Sequence, residues 1–292
     1  MKQWMSALPD SRRLCELSLP GTHDSGTAFA DFPLISRCQA YTIKEQIELG
    51  VRLIDVRLCL DEGELYFVHG AANCRERGLP FSRRLSFDSV FLDLCEFLDK
   101  NPNETILLCI KSERCSAEGF YSFFYDKYIS ANAERFYIKN RLPTLGECRG
   151  RLVLLTRNRA DGSRFDDENS GLCLCNFPFM TKLGSEVLIK REIPKADEAA
   201  NREYLIAQDF YTLLPKKKWY SAVLPSLKQT KAGANFLYWN STSTVGYLCP
   251  WHAAHFINKK LLCYLKENPA FYGCIVMDFA NEELIDAIIG LN

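Results

Sequence analysis

The chain has 292 residues, with 36 Lys and Arg against 36 Asp and Glu, 47% hydrophobic and 25% charged residues. This composition excludes a largely disordered, collagenous or mucin-like chain, and a formal net charge of zero supplies no cationic field for a nucleic-acid partner. The length suits one large α/β barrel or two smaller domains; with no internal repeat or low-complexity linker between halves, residues 1–292 are expected to form a single domain.

In chain order, short apolar runs alternate with longer amphipathic stretches, the pattern of an α/β protein. Residues 14–18 read as a first strand, 43–48 as a helix, and 51–58 and 65–69 as strands. Residues 87–100 read as a helix, because Phe87, Phe91, Leu94 and Leu98 recur three or four apart and Asn101-Pro102 stops the pattern. A strand at 105–111, a helix at 118–133, and strands at 152–156, 204–208 and 236–238 follow. A helix at 254–267, a strand at 273–277 and a helix at 282–289 close the chain. Eight strands is the barrel number, and irregular crossovers at 158–195 and 211–234 point to a distorted or incomplete TIM barrel.

There are 13 cysteines, no CxxC, and one close pair, Cys173 and Cys175, with a single residue between them, which is not the spacing of a structural zinc site. An odd number spread over the chain fits reduced core thiols and favours a reducing compartment. Residues 1–20 contain Asp10, Arg12, Arg13 and Glu16 and no apolar run of signal-peptide length, and no stretch approaches the roughly 18 apolar residues of a membrane span. The run Lys216-Lys217-Lys218 before Trp219-Tyr220 has two readings. It is either a solvated loop or an interfacial patch, with lysines drawn to anionic headgroups and aromatics at the interface.

Two of the four histidines sit where chemistry is expected. His23 and Asp24 follow the first expected strand, and His69 ends the third and precedes Gly70, so in a barrel both open onto the C-terminal face, where active sites are built. His252 and His255 lie three apart at the start of an expected helix, but with no third ligand nearby they read as surface or packing residues rather than a metal site. Asp55 and Arg57 share one strand face amid apolar sequence, as do Lys111 and Glu113. Arg157 follows the fifth expected strand, Asp209 and Tyr211 the sixth, and Asp278 the eighth, so one polar ring is expected.

Two imidazoles, a carboxylate and a guanidinium are the groups needed to move a phosphoryl group without a metal. One imidazole takes the attacking proton, the other protonates the leaving oxygen, the carboxylate fixes a tautomer, and the guanidinium meets the charge growing on phosphate oxygens. A metal-dependent hydrolase uses some of the same residues, but a permanent cation at Arg57 takes the place a divalent ion would occupy.

These residues resemble the catalytic X-type domain of phosphatidylinositol-specific phospholipase C in its bacterial, metal-independent form. The resemblance rests on Pro20-Gly21-Thr22-His23-Asp24-Ser25-Gly26, Asp55-Val56-Arg57, Phe67-Val68-His69-Gly70, Ile110-Lys111-Ser112-Glu113, Gln208-Asp209-Phe210-Tyr211 and Val276-Met277-Asp278-Phe279, in family order over nearly the whole chain. It implies His23 as the base acting on the inositol 2-hydroxyl, Asp278 as its orienting carboxylate, and His69 as the acid on the diacylglycerol oxygen, assisted by Asp24. Arg57 would contact the phosphate and Asp55 would support the cluster. Lys111, Arg157 and Asp209 would bind inositol hydroxyls or phosphate, with Tyr211 stacked on the ring. No metal or cofactor is implied, since the calcium-dependent relatives carry an asparagine and an acidic residue where this chain has Asp24 and Arg57. The resemblance further implies phosphatidylinositol at a membrane surface as the partner, transient peripheral contact by a monomer, and a secreted protein, against the compartment suggested by the cysteines. Phe29 and Phe32 lie in the region of the family's membrane-contacting helix, and Lys216, Lys217, Lys218 and Trp219 form a second candidate contact. A metal-dependent glycerophosphodiester or sphingomyelin phosphodiesterase and a catalytically silent inositol-lipid binding module stand as alternatives.

Overall fold

The computed structural model describes residues 2–79, 81–116, 119–157, 164–174, 177, 203–233, 235–245 and 249–292, and the backbone of 185–189. Its strands are β1 (Leu19–Thr22), β2 (Leu53–Asp61), β3 (Glu64–His69), β4 (Ala72–Asn73), β5 (Ile106–Ser112), β6 (Phe136–Tyr137), β7 (Leu152–Thr156), β8 (Leu172–Cys173), β9 (Ser185–Ile189), β10 (Glu203–Gln208), β11 (Phe236–Ser241) and β12 (Cys274–Met277). Its helices are α1 (Pro33–Ser36), α2 (Ile43–Leu49), α3 (Phe87–Lys100), α4 (Phe120–Phe124), α5 (Leu145–Cys148), α6 (Pro215–Lys218), α7 (Leu224–Gln229), α8 (Pro250–Glu267) and α9 (Glu282–Ile289).

The sheet order is β6-β7-β5-β2-β1-β12-β11-β10-β9, parallel from β6 to β10, with β9 antiparallel at one end and β8 also paired to β7. This is the distorted α/β barrel expected. Side chains alternate across it. Ile54, Val56, Ile106, Leu108, Leu152, Leu154, Ile275 and Met277 pack outward against helices. Leu53, Leu107, Cys109, Val153, Leu155, Leu205, Leu237, Trp239, Cys274 and Val276 fill the inside. α3 follows its expected span because the stripe holds and Ser86 caps it, accepting the Ser89 N–H.

Four expectations need correction. Residues 14–18 are not a strand: Leu14–Glu16 is a short 3-10 turn, and Leu14 and Leu17 join Met5 in the inner cluster, plugging the base of the barrel. The first strand starts at Leu19 and holds Pro20, which needs no donor there because it contributes only its carbonyl, accepting the Arg52 N–H at 3.0 Å. The strand ending in His69 is not a barrel stave but the return arm of an antiparallel hairpin with β2, Leu58 facing Phe67. The helix expected over 118–133 is divided in its described part, which starts at 119: α4 ends at Phe124 and continues as a turn of π-helix, Tyr125–Ile129. α8 starts at Pro250, four residues before expectation, since proline at the first turn costs no hydrogen bond.

Candidate active site

The inward face of each stave changes character toward its C-terminal end. On β2 it runs Leu53, Asp55, Arg57; β5 carries Lys111, and Arg157, Asp209 and Asp278 sit just past β7, β10 and β12. The Pro20–Gly26 segment brings His23 to the same opening, its N–H bonded to the Met277 carbonyl at 2.9 Å. Gly26 has to be a glycine because a Cβ there would lie 2.3 Å from Phe67 Cδ1. That close approach sets the His23 loop against the strand ending in His69.

His23 Nδ1 donates to Asp278 Oδ1 at 2.8 Å, which leaves Nε2 to accept from Arg57 Nη2 at 2.8 Å. Nε2 also lies 3.1 Å from Asp24 Oδ2. The Arg57 contact needs an unprotonated Nε2, whereas Asp24 on the same nitrogen favours the imidazolium. Burial disfavours the imidazolium, yet Asp24 and Asp278 outweigh burial and Arg57 and raise the pKa of His23 to about 9. His69 donates through Nδ1 to the Ser36 carbonyl at 2.8 Å and turns Nε2 toward Asp24 Oδ2 at 3.3 Å. The two imidazoles are edge to face with centroids 6.3 Å apart.

Arg57 is the hub. Its Nε lies 2.9 Å from Asp24 Oδ1, Nη2 3.5 Å from Asp55 Oδ2, and Nη1 3.6 Å from Glu113 Oε2. Burial opposes its charge, but these carboxylates and Asp209 raise its pKa. Asp55, with one oxygen facing Arg57 and the other 3.6 Å from Arg157, is held down at about 2: burial works against the carboxylate and the cations prevail. Arg157 reaches Asp209 Oδ2 at 3.6 Å and lies over the Phe177 ring. Lys111 pairs with Glu113 at 3.3 Å. Of the expected ring, His23, Asp24, Asp55, Arg57, His69, Lys111, Arg157, Asp209 and Asp278 are therefore joined by contacts within one mouth, and Tyr211 stands half-buried two residues past Asp209.

Among the described residues, His23, Asp24 and Cys38 place potential ligand atoms within 4.8 Å of one another. Arg57 already holds both His23 Nε2 and Asp24 Oδ1, so a dication there would face a permanent positive charge on two of its three ligands. Burial raises the Cys38 thiol well above its ordinary value, which further disfavours a thiolate ligand. His252 and His255 are exposed beside Trp251.

Of the candidate membrane residues, Phe32 is 66% exposed, Lys216 and Lys217 are exposed, and Phe29 is half-buried. Lys218 and Trp219 are a correction: both are buried. The segment is helical rather than a loop, and Pro215, Lys218, Trp219, Ala222 and Val223 recur at the spacing of one buried face. That spacing is present in the sequence beneath the lysine run. Seven of the twelve described cysteines are buried and all twelve are free thiols, as core residues would be.

Two supporting residues, Gln39 and Arg114, carry no signal in the sequence. Gln39 Nε2 donates to the His23 and Met277 carbonyls at 2.7 and 2.8 Å, tying the His23 loop to β12. Glu113 accepts the Gly70 N–H at 2.5 Å, and Arg114 donates to the Gly70 and Ala72 carbonyls and Asn73 Oδ1. Together they clamp the turn after His69, where Gly70 has φ +53°. Only Glu113 had a sequence signal, its two-residue spacing from Lys111.

The family model described as PI-PLC X 1 matches residues 10–172, more than half of the chain. The chain is 27% identical over 307 residues to the 1-phosphatidylinositol phosphodiesterase of Listeria monocytogenes, covering 100% of this chain and 85% of the relative. It is 27% identical over 315 residues to a Staphylococcus aureus protein of the same name, covering 100% and 94%. Among solved structures, the phosphatidylinositol-specific phospholipase C from Listeria monocytogenes superposes with a TM-score of 0.73 at 25% identity, covering 99% of this chain and 98% of that one. The Staphylococcus aureus phosphatidylinositol-specific phospholipase C superposes with a TM-score of 0.78 at 22% identity, covering 99% and 96%, and supports the fold.

Proposed function

Given that the chain belongs to the phosphatidylinositol-specific phospholipase C X-domain family, we propose that it cleaves phosphatidylinositol to diacylglycerol and inositol 1,2-cyclic phosphate by metal-free phosphotransfer. The observation that carries this reading is the shared contact of two imidazoles and one guanidinium with Asp24, at 3.1, 3.3 and 2.9 Å. His23, oriented by Asp278 with its Nε2 lone pair toward the mouth, removes the proton of the inositol 2-hydroxyl. That oxygen bonds to phosphorus as the bond to the glycerol oxygen breaks, and His69, backed by Asp24, returns a proton to the departing alkoxide. Arg57 moves from its carboxylate contacts onto the non-bridging oxygens, where a fixed cation stabilises charge best in the transition state. Nucleophile and phosphorus belong to one molecule, so attack has no entropy of association to overcome. Lys111, Arg157 and Asp209 take the inositol hydroxyls and Tyr211 lies against the ring.

The same opening is bordered by an exposed apolar surface. Phe32, Leu34 and Ile35, on and beside α1, are 66, 75 and 57% exposed, and Leu79 and Phe81 of the β4–α3 connection are 64 and 102% exposed. α1 also supplies the Ser36 carbonyl that holds His69, so insertion of this surface into headgroups sets the mouth over the lipid phosphate. Among the described residues no helix is long and apolar enough to cross a membrane. Incubation with phosphatidylinositol vesicles and assay of diacylglycerol tests the reading. Release of diacylglycerol supports it, and binding to the vesicles without release favours a silent lipid-binding module.

A further inference from the structure

Lys218 is the third member of the lysine run and is 0% exposed. Its ammonium donates to two neutral acceptors, Gln208 Oε1 at 2.9 Å and the Phe210 carbonyl at 3.1 Å. Gln208, also 0% exposed, takes the Phe210 N–H on the same oxygen at 2.9 Å and donates from Nε2 to Asn240 Oδ1 and the Ser241 carbonyl, both at 2.8 Å. The Phe210 peptide is thus gripped at both ends, its N–H through Gln208 and its carbonyl by Lys218. On either side of that peptide stand Asp209 and Tyr211, the side chains given to the inositol ring above.

A buried ammonium is costly, and an apolar side chain of the same volume fills such a site without that cost. Packing alone therefore does not account for Lys218, whereas the ordered turn does. Resting on the phospholipase reading, we propose that Lys218 is a positioning residue for substrate: its ammonium fixes the 209–211 turn and so presents Asp209 and Tyr211 to the inositol ring. The charged groups facing it are Asp209 and Asp278. Burial lowers the pKa of Lys218 to about 7 against their pull, so the grip weakens as pH rises through neutrality.

The test is hydrolysis of soluble inositol 1,2-cyclic phosphate, with competitive inhibition by myo-inositol, for the wild type and Lys218→Met. Methionine keeps most of the volume and removes the charge. The expected result at pH 6 is a KM and an inositol inhibition constant raised about tenfold with kcat within about threefold, because an interaction made equally in ground and transition states is lost. Melting followed by circular dichroism should be no lower than that of the wild type. Unchanged KM, or a fall in kcat alone, overturns the proposal. Should the methionine variant not fold, Lys218→Gln, which keeps a donor but no ammonium, is measured in its place: a raised KM and inositol inhibition constant with kcat held support the proposal, and unchanged constants overturn it. A wild type with no turnover of the cyclic phosphate and none of phosphatidylinositol removes the phospholipase reading itself, and the proposal with it. Wild-type turnover with an indifferent variant removes only the role of Lys218.

Discussion

The two ends of the barrel interior are built from the same strands and do opposite work. At the base, Leu53, Leu107, Val153 and Cys274 pack with Met5, Leu14 and Leu17 into a dry plug. Its rim carries one buried ion pair, Arg52 with Glu104 at 2.8 Å, both side chains 0% exposed. Arg52 also donates to the Lys2, Ile47 and Val51 carbonyls, and Glu104 accepts the Met5 and Ser6 N–H groups. At the mouth, four residues along β2 from Leu53, Arg57 stands among Asp24, Asp55 and Glu113 with its contacts less completely satisfied: Asp24 Oδ1, Asp24 Oδ2 and Arg57 Nε meet ion-pair partners without hydrogen-bond geometry. A closed charge pair at the base holds the chain together. An open charge cluster at the mouth is what the proposed exchange of carboxylates for a phosphate requires.

The sharpest way to break that contrast is at the two imidazoles. His23→Ala and His69→Ala should each lower turnover of phosphatidylinositol about 10³-fold or more while melting stays close to the wild type, as measured by product release and circular dichroism. The base should respond in the opposite sense. Glu104→Gln leaves Arg52 buried and unpaired and should destabilise the fold by about 3–5 kcal/mol, read from denaturant unfolding, with kcat of the folded protein nearly unchanged. Wild-type stability in that variant would remove the contrast. Arg57→Lys keeps the charge but not the fork, and kcat should fall about 10²- to 10³-fold in a steady-state assay, with little change in stability. The smallest effect is a displacement along the pH axis. His23 acts only when unprotonated, so the rate rises with pH through its pKa, raised to about 9 by Asp24 and Asp278 against burial. Asp278→Asn removes one of the raising charges, and the acidic limb of the kcat/KM profile should move to lower pH, with a lower plateau because the tautomer is no longer fixed.

The mouth was more legible in the sequence than the base, for a physical reason. A period of two carries Asp55 and Arg57, or Lys111 and Glu113, onto one face whatever the sheet does next, and a charge inside apolar sequence announces a partner. The base is held by residues that look unremarkable in a line. Leu14 and Leu17 have the apolar character of a strand but plug the barrel from a 3-10 turn. The hairpin that carries His69 back alongside β2 was hidden because an antiparallel return and a parallel stave have the same alternation. A lysine run has the character of a surface whatever its helical spacing, and the burial of Lys218 depends on acceptors, Gln208 and Phe210, that only the fold brings to it.

The most direct test of a metal-free mouth is phosphorus NMR of phosphatidylinositol vesicles incubated with the purified protein in excess EDTA. If Arg57 supplies the positive charge, the resonance of the five-membered cyclic phosphate appears under chelation. No product in EDTA, with turnover restored by added calcium, would contradict the role given to Arg57.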